Sequence, residues 1–174
     1  DPAWRQGQTN VLLIAPDNGW GQRASEYFVQ YWNAKGGVVI EAIVYPTAVN
    51  DFTKLLKSPL EIDLSERRGL ELRRSINRSL SYTERRREDI DLVIVLGYSA
   101  KVRQIKPALD FLYAGDIPVY ASSHIYNGTQ QIELNRDLSG IQFSAMPWTL
   151  KGHIPRPLNL DQRLPIAYRQ LFAL

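Results

Sequence analysis

Two apolar runs along the chain close on small or polar residues. Leu92-Val93-Ile94-Val95-Leu96 runs into Gly97, and Ile117-Pro118-Val119-Tyr120-Ala121 runs into Ser122-Ser123. Between them, residues 99–113 carry apolar side chains at helical spacing, with Val102, Ile105, Leu109 and Leu112 on one stripe. Strand, helix, strand in this order is a βαβ unit. Short strands that are apolar at every position are those buried on both faces of a parallel sheet. Such sheets carry their functional loops at the carboxyl ends of the strands.

The same reading extends along the chain. Val11-Leu12-Leu13-Ile14-Ala15 predicts a first strand, turned by Pro16-Asp17-Asn18-Gly19 into a helix that carries Trp20, Ala24, Phe28, Tyr31 and Trp32 and stops at Gly36-Gly37. Residues 38–45 predict a second strand, residues 51–56 a short helix, and residues 57–63 a loop around Pro59. Leu72, Ile76 and Leu80 stand at i, i+4 and i+8, so residues 64–82 predict an amphipathic helix with its arginines toward water. A polar loop containing Asn127-Gly128-Thr129 leads to a short fifth strand at residues 140–143. Pro147, Pro155 and Pro157 predict irregular chain over residues 147–160, and residues 164–174 read as a helix. The pattern predicts one α/β unit over residues 1–174: three layers, α/β/α, around a mostly parallel five-stranded sheet.

Composition narrows the function classes. With 174 residues, 44% of them hydrophobic, the chain supports a single sizeable core. Net charge is +3, and between residues 61 and 89 eight arginines face seven acids. A balanced segment reads as a solvated, ion-paired helix rather than a nucleic-acid groove, which needs an excess of positive charge on one face. The absence of cysteine excludes thiolate zinc sites, thiol catalysis and disulfides. No apolar stretch approaches the roughly 20 residues of a membrane-spanning helix. Asp1-Pro2-Ala3-Trp4 is neither a signal peptide nor an initiator methionine, so the chain is expected to be a processed product or an excised domain.

Candidate chemistry concentrates at predicted carboxyl strand ends. Asp17-Asn18-Gly19-Trp20-Gly21 follows the first strand, but lacks the third glycine of a dinucleotide fingerprint. Its simpler reading is that Asn18 or Asp17 caps the helix and Trp20 packs at its base. Gly97-Tyr98-Ser99-Ala100-Lys101 stands where α/β hydrolases place a nucleophile, and Asp116 or Asp137 with His153 would supply a triad in chain order. Lys101 is too large for that elbow, and Ser99 is expected to be an N-cap worth about 1 kcal/mol. His124 and His153, the only histidines, have no partner at metal-ligand spacing, so no metal, cofactor or catalytic site is expected. Glu88, Asp89 and Asp91 precede the third strand, the wrong edge for catalysis, and are expected to pair with Arg85, Arg86 and Arg87. Asn77-Arg78-Ser79 and Asn127-Gly128-Thr129 match glycosylation sequons too short to weigh. Met146-Pro147-Trp148 and residues 168–172 are apolar groups expected to lie uncovered near the end of the unit.

Several of these segments, taken in order, carry a family resemblance. They are Gly19-Trp20-Gly21-Gln22-Arg23, Gly36-Gly37-Val38-Val39, Arg85-Arg86-Arg87-Glu88-Asp89-Ile90-Asp91, Ile105-Lys106-Pro107, Tyr120-Ala121-Ser122-Ser123 and Leu138-Ser139-Gly140-Ile141-Gln142-Phe143. Together, over residues 10–174, they resemble the carboxyl-terminal domain of the LpoA (YraM-type) family. The resemblance implies the two-lobed fold of type I periplasmic binding proteins, with this chain mainly its second lobe. A first lobe, a tandem-helical amino-terminal domain and a lipid-bearing cysteine would precede residue 1. It further implies an outer-membrane lipoprotein facing the periplasm that stimulates peptide cross-linking by a class A penicillin-binding protein. The implied role is regulation without catalysis, touching the membrane only through that lipid. The competing expectation is a periplasmic small-molecule receptor. Its cleft wall would be Asp17, Asn18, Trp20, Tyr98, Ser99, Ser122, Ser123 and His124, with Trp20 or Tyr98 stacking on a ligand ring.

Overall fold

Strands β1 (Asn10–Pro16), β2 (Val38–Tyr45), β3 (Leu92–Val95), β4 (Val119–Ala121) and β5 (Ile141–Phe143) form one sheet in the order β2-β1-β3-β4-β5, and every neighbouring pair is parallel. This computed structural model describes residues 2–5, 7–76, 82–126, 133 and 135–145. The helices are α1 (Pro2–Arg5), α2 (Gly19–Ala34), α3 (Phe52–Lys57), α4 (Ile62–Ile76) and α5 (Ser99–Phe111), with short 3-10 turns at Ser123–Ile125 and Arg136–Leu138. The five predicted strands, the fourth of them expected over residues 119–122, are all present, with ends that differ by at most a residue. The predicted irregular segment and helix beyond residue 146, the apolar groups there, His153 and both sequons lie outside the described residues.

Burial explains the unbroken apolar run of β1. It has a parallel neighbour on each side and helices over both faces, so Val11, Leu12, Leu13 and Ile14 are fully buried. Alternate positions serve different cores. Leu12 and Ile14 join Val93, Val95, Phe52, Leu56, Val102, Ile105 and Leu109 beneath α3 and α5. Val11 and Leu13 join Trp32 and Leu92 beneath α2, with Trp4, Phe28 and Val29 packed alongside. These are the three predicted layers. The stripe expected on α5, Val102, Ile105, Leu109 and Leu112, is buried throughout.

On α2 the inner residues are Gly21 and Trp32, while Tyr31 is half exposed. Trp32 donates its indole N–H to the Thr9 carbonyl at 2.8 Å. Gly37 is what lets the ring sit there, because a Cβ on it would stand 2.2 Å from the indole nitrogen. Gly36-Gly37 therefore does more than end a helix.

Helix α4 corrects the sequence reading. Its buried positions are Ile62, Ser65 and Gly69, whereas Leu72 and Ile76 are 48% and 49% exposed. The cause is the Tyr82 ring, which lies against the helix. A Cβ on Gly69 would stand 2.5 Å from it, and the Tyr82 hydroxyl donates to the Ser65 carbonyl at 2.7 Å. Small residues mark the contact, so apolar spacing alone pointed one turn too far along.

The acids before β3 divide their work. Arg87 holds Asp89 through two bonds of 2.6 and 2.7 Å, as expected, and the guanidinium keeps that carboxyl below its ordinary range. Asp91 does not pair with arginine. Its Oδ2 accepts from the backbone N–H groups of Thr9 and Asn10, both at 2.9 Å, tying the entry of β1 to that of β3. Glu88 is exposed beside an open groove that Arg85 and Arg86 also line.

Candidate functional site

From β1 the sheet grows in both directions, to β2 on one side and to β3 on the other. The chain leaves β1 through α2 on one face and β3 through α5 on the opposite face, so the carboxyl ends of β1 and β3 meet at the topological switch point, where such sheets hold ligands. Three local structures shape this edge.

At the end of β1, Asn18 has extended backbone and its Oδ1 accepts from the Gly21 N–H at 2.7 Å, capping α2. Gly21 fits beneath the turn because a Cβ there would stand 2.1 Å from the Pro16 carbonyl. Asp17 is exposed, and its carboxylate accepts from the Gln22 side-chain amide at 3.4 Å. Trp20 follows in the first turn, half-buried.

At the end of β3 the N-cap of α5 is Tyr98, not Ser99, and no side chain caps this helix. The Tyr98 carbonyl accepts from Lys101 and Val102, while its ring stays 53% exposed. Ser99 is the first helical residue, and among the described residues no hydrogen bond joins it to His124 or Asp116. Asp116 sits in the loop before β4, at the opposite end of the sheet, held by Arg86 at 2.7 Å. The two are at opposite edges and cannot share a triad.

At the end of β4 the Ser122 N–H donates to the Val95 carbonyl at 3.2 Å, and the chain turns through Ser123–Ile125. Ile125 is buried and anchors the turn, leaving Ser123 and His124 exposed. The Ser122 Oγ is buried and has no hydrogen-bond partner among the described residues.

These turns bring three rings together. The Trp20 and His124 centroids are 4.6 Å apart, Tyr98 and His124 5.5 Å, and Trp20 and Tyr98 5.9 Å, with interplanar angles of 56°, 87° and 39°. Asp17, Asn18, Ser99, Ser122 and Ser123 stand beside them on the same three loops.

Two further residues shape the edge: Tyr45, not singled out from sequence, and Lys101, noted there only as too large for a nucleophile elbow. Tyr45, at the end of β2, reaches across to the Leu96 carbonyl, 3.5 Å from its hydroxyl. Burial, with Tyr98 adding to it, pushes its phenol up to about 12. Lys101 donates to the Val49 carbonyl at 2.5 Å and approaches the Asn50 side chain at 3.4 Å, fastening the loop after β2 to α5. Only the alternation of β2, which turns position 45 inward, hinted at the first, and nothing local hinted at the second. No group of acidic or histidine side chains suited to a metal ion occurs among the described residues.

The fold is periplasmic-binding-protein-like, a doubly wound parallel sheet. A solute-binding protein of an ABC transporter from R. palustris, solved in complex with 4-hydroxybenzoate, aligns over 78% of this chain and 30% of its own, with a TM-score of 0.52 and 17% identity. The family described as "LppC putative lipoprotein" matches residues 1–174, and the chain belongs to it. The penicillin-binding protein activator LpoA of Edwardsiella ictaluri (strain 93-146) is 25% identical over 182 residues, a match covering 98% of this chain and 26% of that protein. The LpoA (YraM) C-domain from Haemophilus influenzae, titled a regulator of PBP1A, aligns over 99% of this chain and 42% of its own, with a TM-score of 0.53 and 16% identity. At such identities the solved structures speak to fold alone. The chain spans about a quarter of the length of the curated relatives it matches. No described helix is long and apolar enough to cross a membrane.

Proposed function

We propose that this chain is one lobe of a non-catalytic regulator of peptidoglycan synthesis. The whole protein would be a lipoprotein held at the outer membrane by an amino-terminal lipid, with this lobe in the periplasm. It would bind a class A penicillin-binding protein and stimulate its transpeptidase activity. The observation that supports this is the family match across residues 1–174, with relatives named penicillin-binding protein activators. A first lobe of the same type and a helical amino-terminal domain would complete the molecule. The test is a titration of the purified synthase against the full-length protein and against this chain, with cross-linking measured in parallel. Binding and stimulation by the full-length protein are the expected result, and absence of both removes the reading.

A second reading is favoured by one feature. The Trp20, Tyr98 and His124 rings stand at the switch point, where doubly wound sheets hold ligands. The fold neighbour from R. palustris holds a ring-bearing ligand. On this reading the edge is one wall of a receptor cleft lined by Asp17, Asn18, Trp20, Tyr98, Ser99, Ser122, Ser123 and His124. A thermal-shift series with cell-wall fragments and amino acids on the full-length protein checks it, and no shift at millimolar ligand counts against it.

A further inference from the structure

We infer that the cluster of Trp20, Tyr98 and His124 is a platform for a neutral saccharide, with a pyranose ring lying on its exposed aromatic faces. The inference rests on the second reading above, that this edge holds a ligand, and gives that ligand a chemical class.

Three observations carry it. The rings are accessible: Tyr98 is 53% exposed, His124 is exposed and Trp20 is half-buried. The three are fixed against one another by contacts of 4.6 to 5.9 Å, so little ordering remains to oppose binding. Electron-rich ring faces attract the polarised C–H groups that line one face of a pyranose.

Most polar groups around the rings are short and uncharged, and the charged ones are Asp17, Arg23 and Lys101. Asn18, Ser99 and Ser123 offer amide and hydroxyl groups of the kind that pair with sugar hydroxyls. The acid, Asp17, accepts from the Gln22 side-chain amide at 3.4 Å, and the exposed Arg23 guanidinium lies over the same turn, 3.3 Å from where a Cβ on Gly19 would stand. Lys101, the nearby ammonium of α5, is already engaged by Val49 and Asn50. A neutral polyol with one apolar face matches both the rings and the hydroxyls.

The test is calorimetric titration of the full-length protein with the β-1,4-linked tetramer of N-acetylglucosamine, with N-acetylglucosamine alone, and with 4-hydroxybenzoate. The tetramer is expected to bind saturably. Tyr98→Ala and the gentler Trp20→Phe are each expected to weaken it, Tyr98→Ala by about tenfold. Phe111→Ala, which removes an exposed ring at the far end of α5, is expected to leave it unchanged. Circular dichroism confirms that each variant is folded. Equal affinity for the monosaccharide would assign the platform to a free sugar, and tighter tetramer binding would assign it to a glycan strand. Failure of both sugars to bind, or binding indifferent to Tyr98 and Trp20, overturns the inference. If 4-hydroxybenzoate binds in a Tyr98-dependent way while the sugars do not, the class is wrong and the receptor reading stands. If none of the three binds, both fall.

Discussion

The hydroxyl of Tyr45 fills the space that a side chain on Gly97 would need, since a Cβ there would stand 2.7 Å from it. Two strand ends that are not neighbours, those of β2 and β3, are thus in contact over the end of β1. The contact exists because position 97 has no side chain. Gly97→Ala is expected to displace a buried ring and cost about 1–3 kcal/mol. Urea unfolding reads this directly, and a change below about 0.5 kcal/mol would show that Tyr45 is free to move.

The same phenol sets a limit in alkali. In the folded chain its pKa is raised from 10.0 to about 12 by burial, with Tyr98 as the lesser cause. The unfolded chain therefore loses this proton first. The stabilising contribution is intact below pH 10 and is lost as pH rises through 12. Melting temperature in Tyr45→Phe should fall less steeply than in the unmodified protein between pH 10 and pH 12. Parallel profiles would mean that the phenol is not protected.

Gly69 pits helix propensity against packing. Alanine is a better helix former than glycine by about 1 kcal/mol, which favours Gly69→Ala. The Tyr82 ring, 2.5 Å from the new Cβ, opposes it. Packing is expected to win, making Gly69→Ala destabilising alone. In a Tyr82→Ala background the same change should become neutral or favourable. A double-mutant cycle in denaturant measures the difference, and additive effects would refute the contact.

Arg86 serves three acceptors. It bonds the Tyr113 carbonyl at 2.9 Å, the Arg87 carbonyl at 2.8 Å and Asp116 at 2.7 Å. Tyr113 is held there in the left-handed region at φ 60°. A lysine ammonium cannot span three such directions, so Arg86→Lys should cost about 1–2 kcal/mol although charge is kept. Asp116 is 71% exposed, and an exposed ion pair contributes little. Asp116→Ala should therefore cost under about 0.5 kcal/mol, and a larger loss than for Arg86→Lys would reverse this assignment.

Sequence carried the sheet well, because burial on both faces writes itself as unbroken apolar runs such as Val11-Leu12-Leu13-Ile14. The α5 stripe was equally legible. What failed was contact made by small or polar residues. Ser65 and Gly69 hide a packing surface that apolar periodicity assigned to Leu72 and Ile76. Asp91 looked like an arginine partner because sequence proximity favours Arg87, whereas backbone N–H groups some eighty positions away claim it. Ser99 looked like a cap, but it is the first helical residue and Tyr98 takes the N-cap position. The candidate edge could be proposed position by position from strand ends. That Trp20, Tyr98 and His124 touch one another depends on strand order, which apolar patterns do not encode.

That mutual contact makes the cluster a gauge of assembly. Its members come from three turns far apart in the chain, and β3 must settle between β1 and β4 before all three can meet. Contacts so distant in sequence close late. The indole emission of Trp20, altered by its imidazole neighbour, therefore reports the joining of the three central strands rather than formation of any single helix, and gives refolding experiments an internal marker.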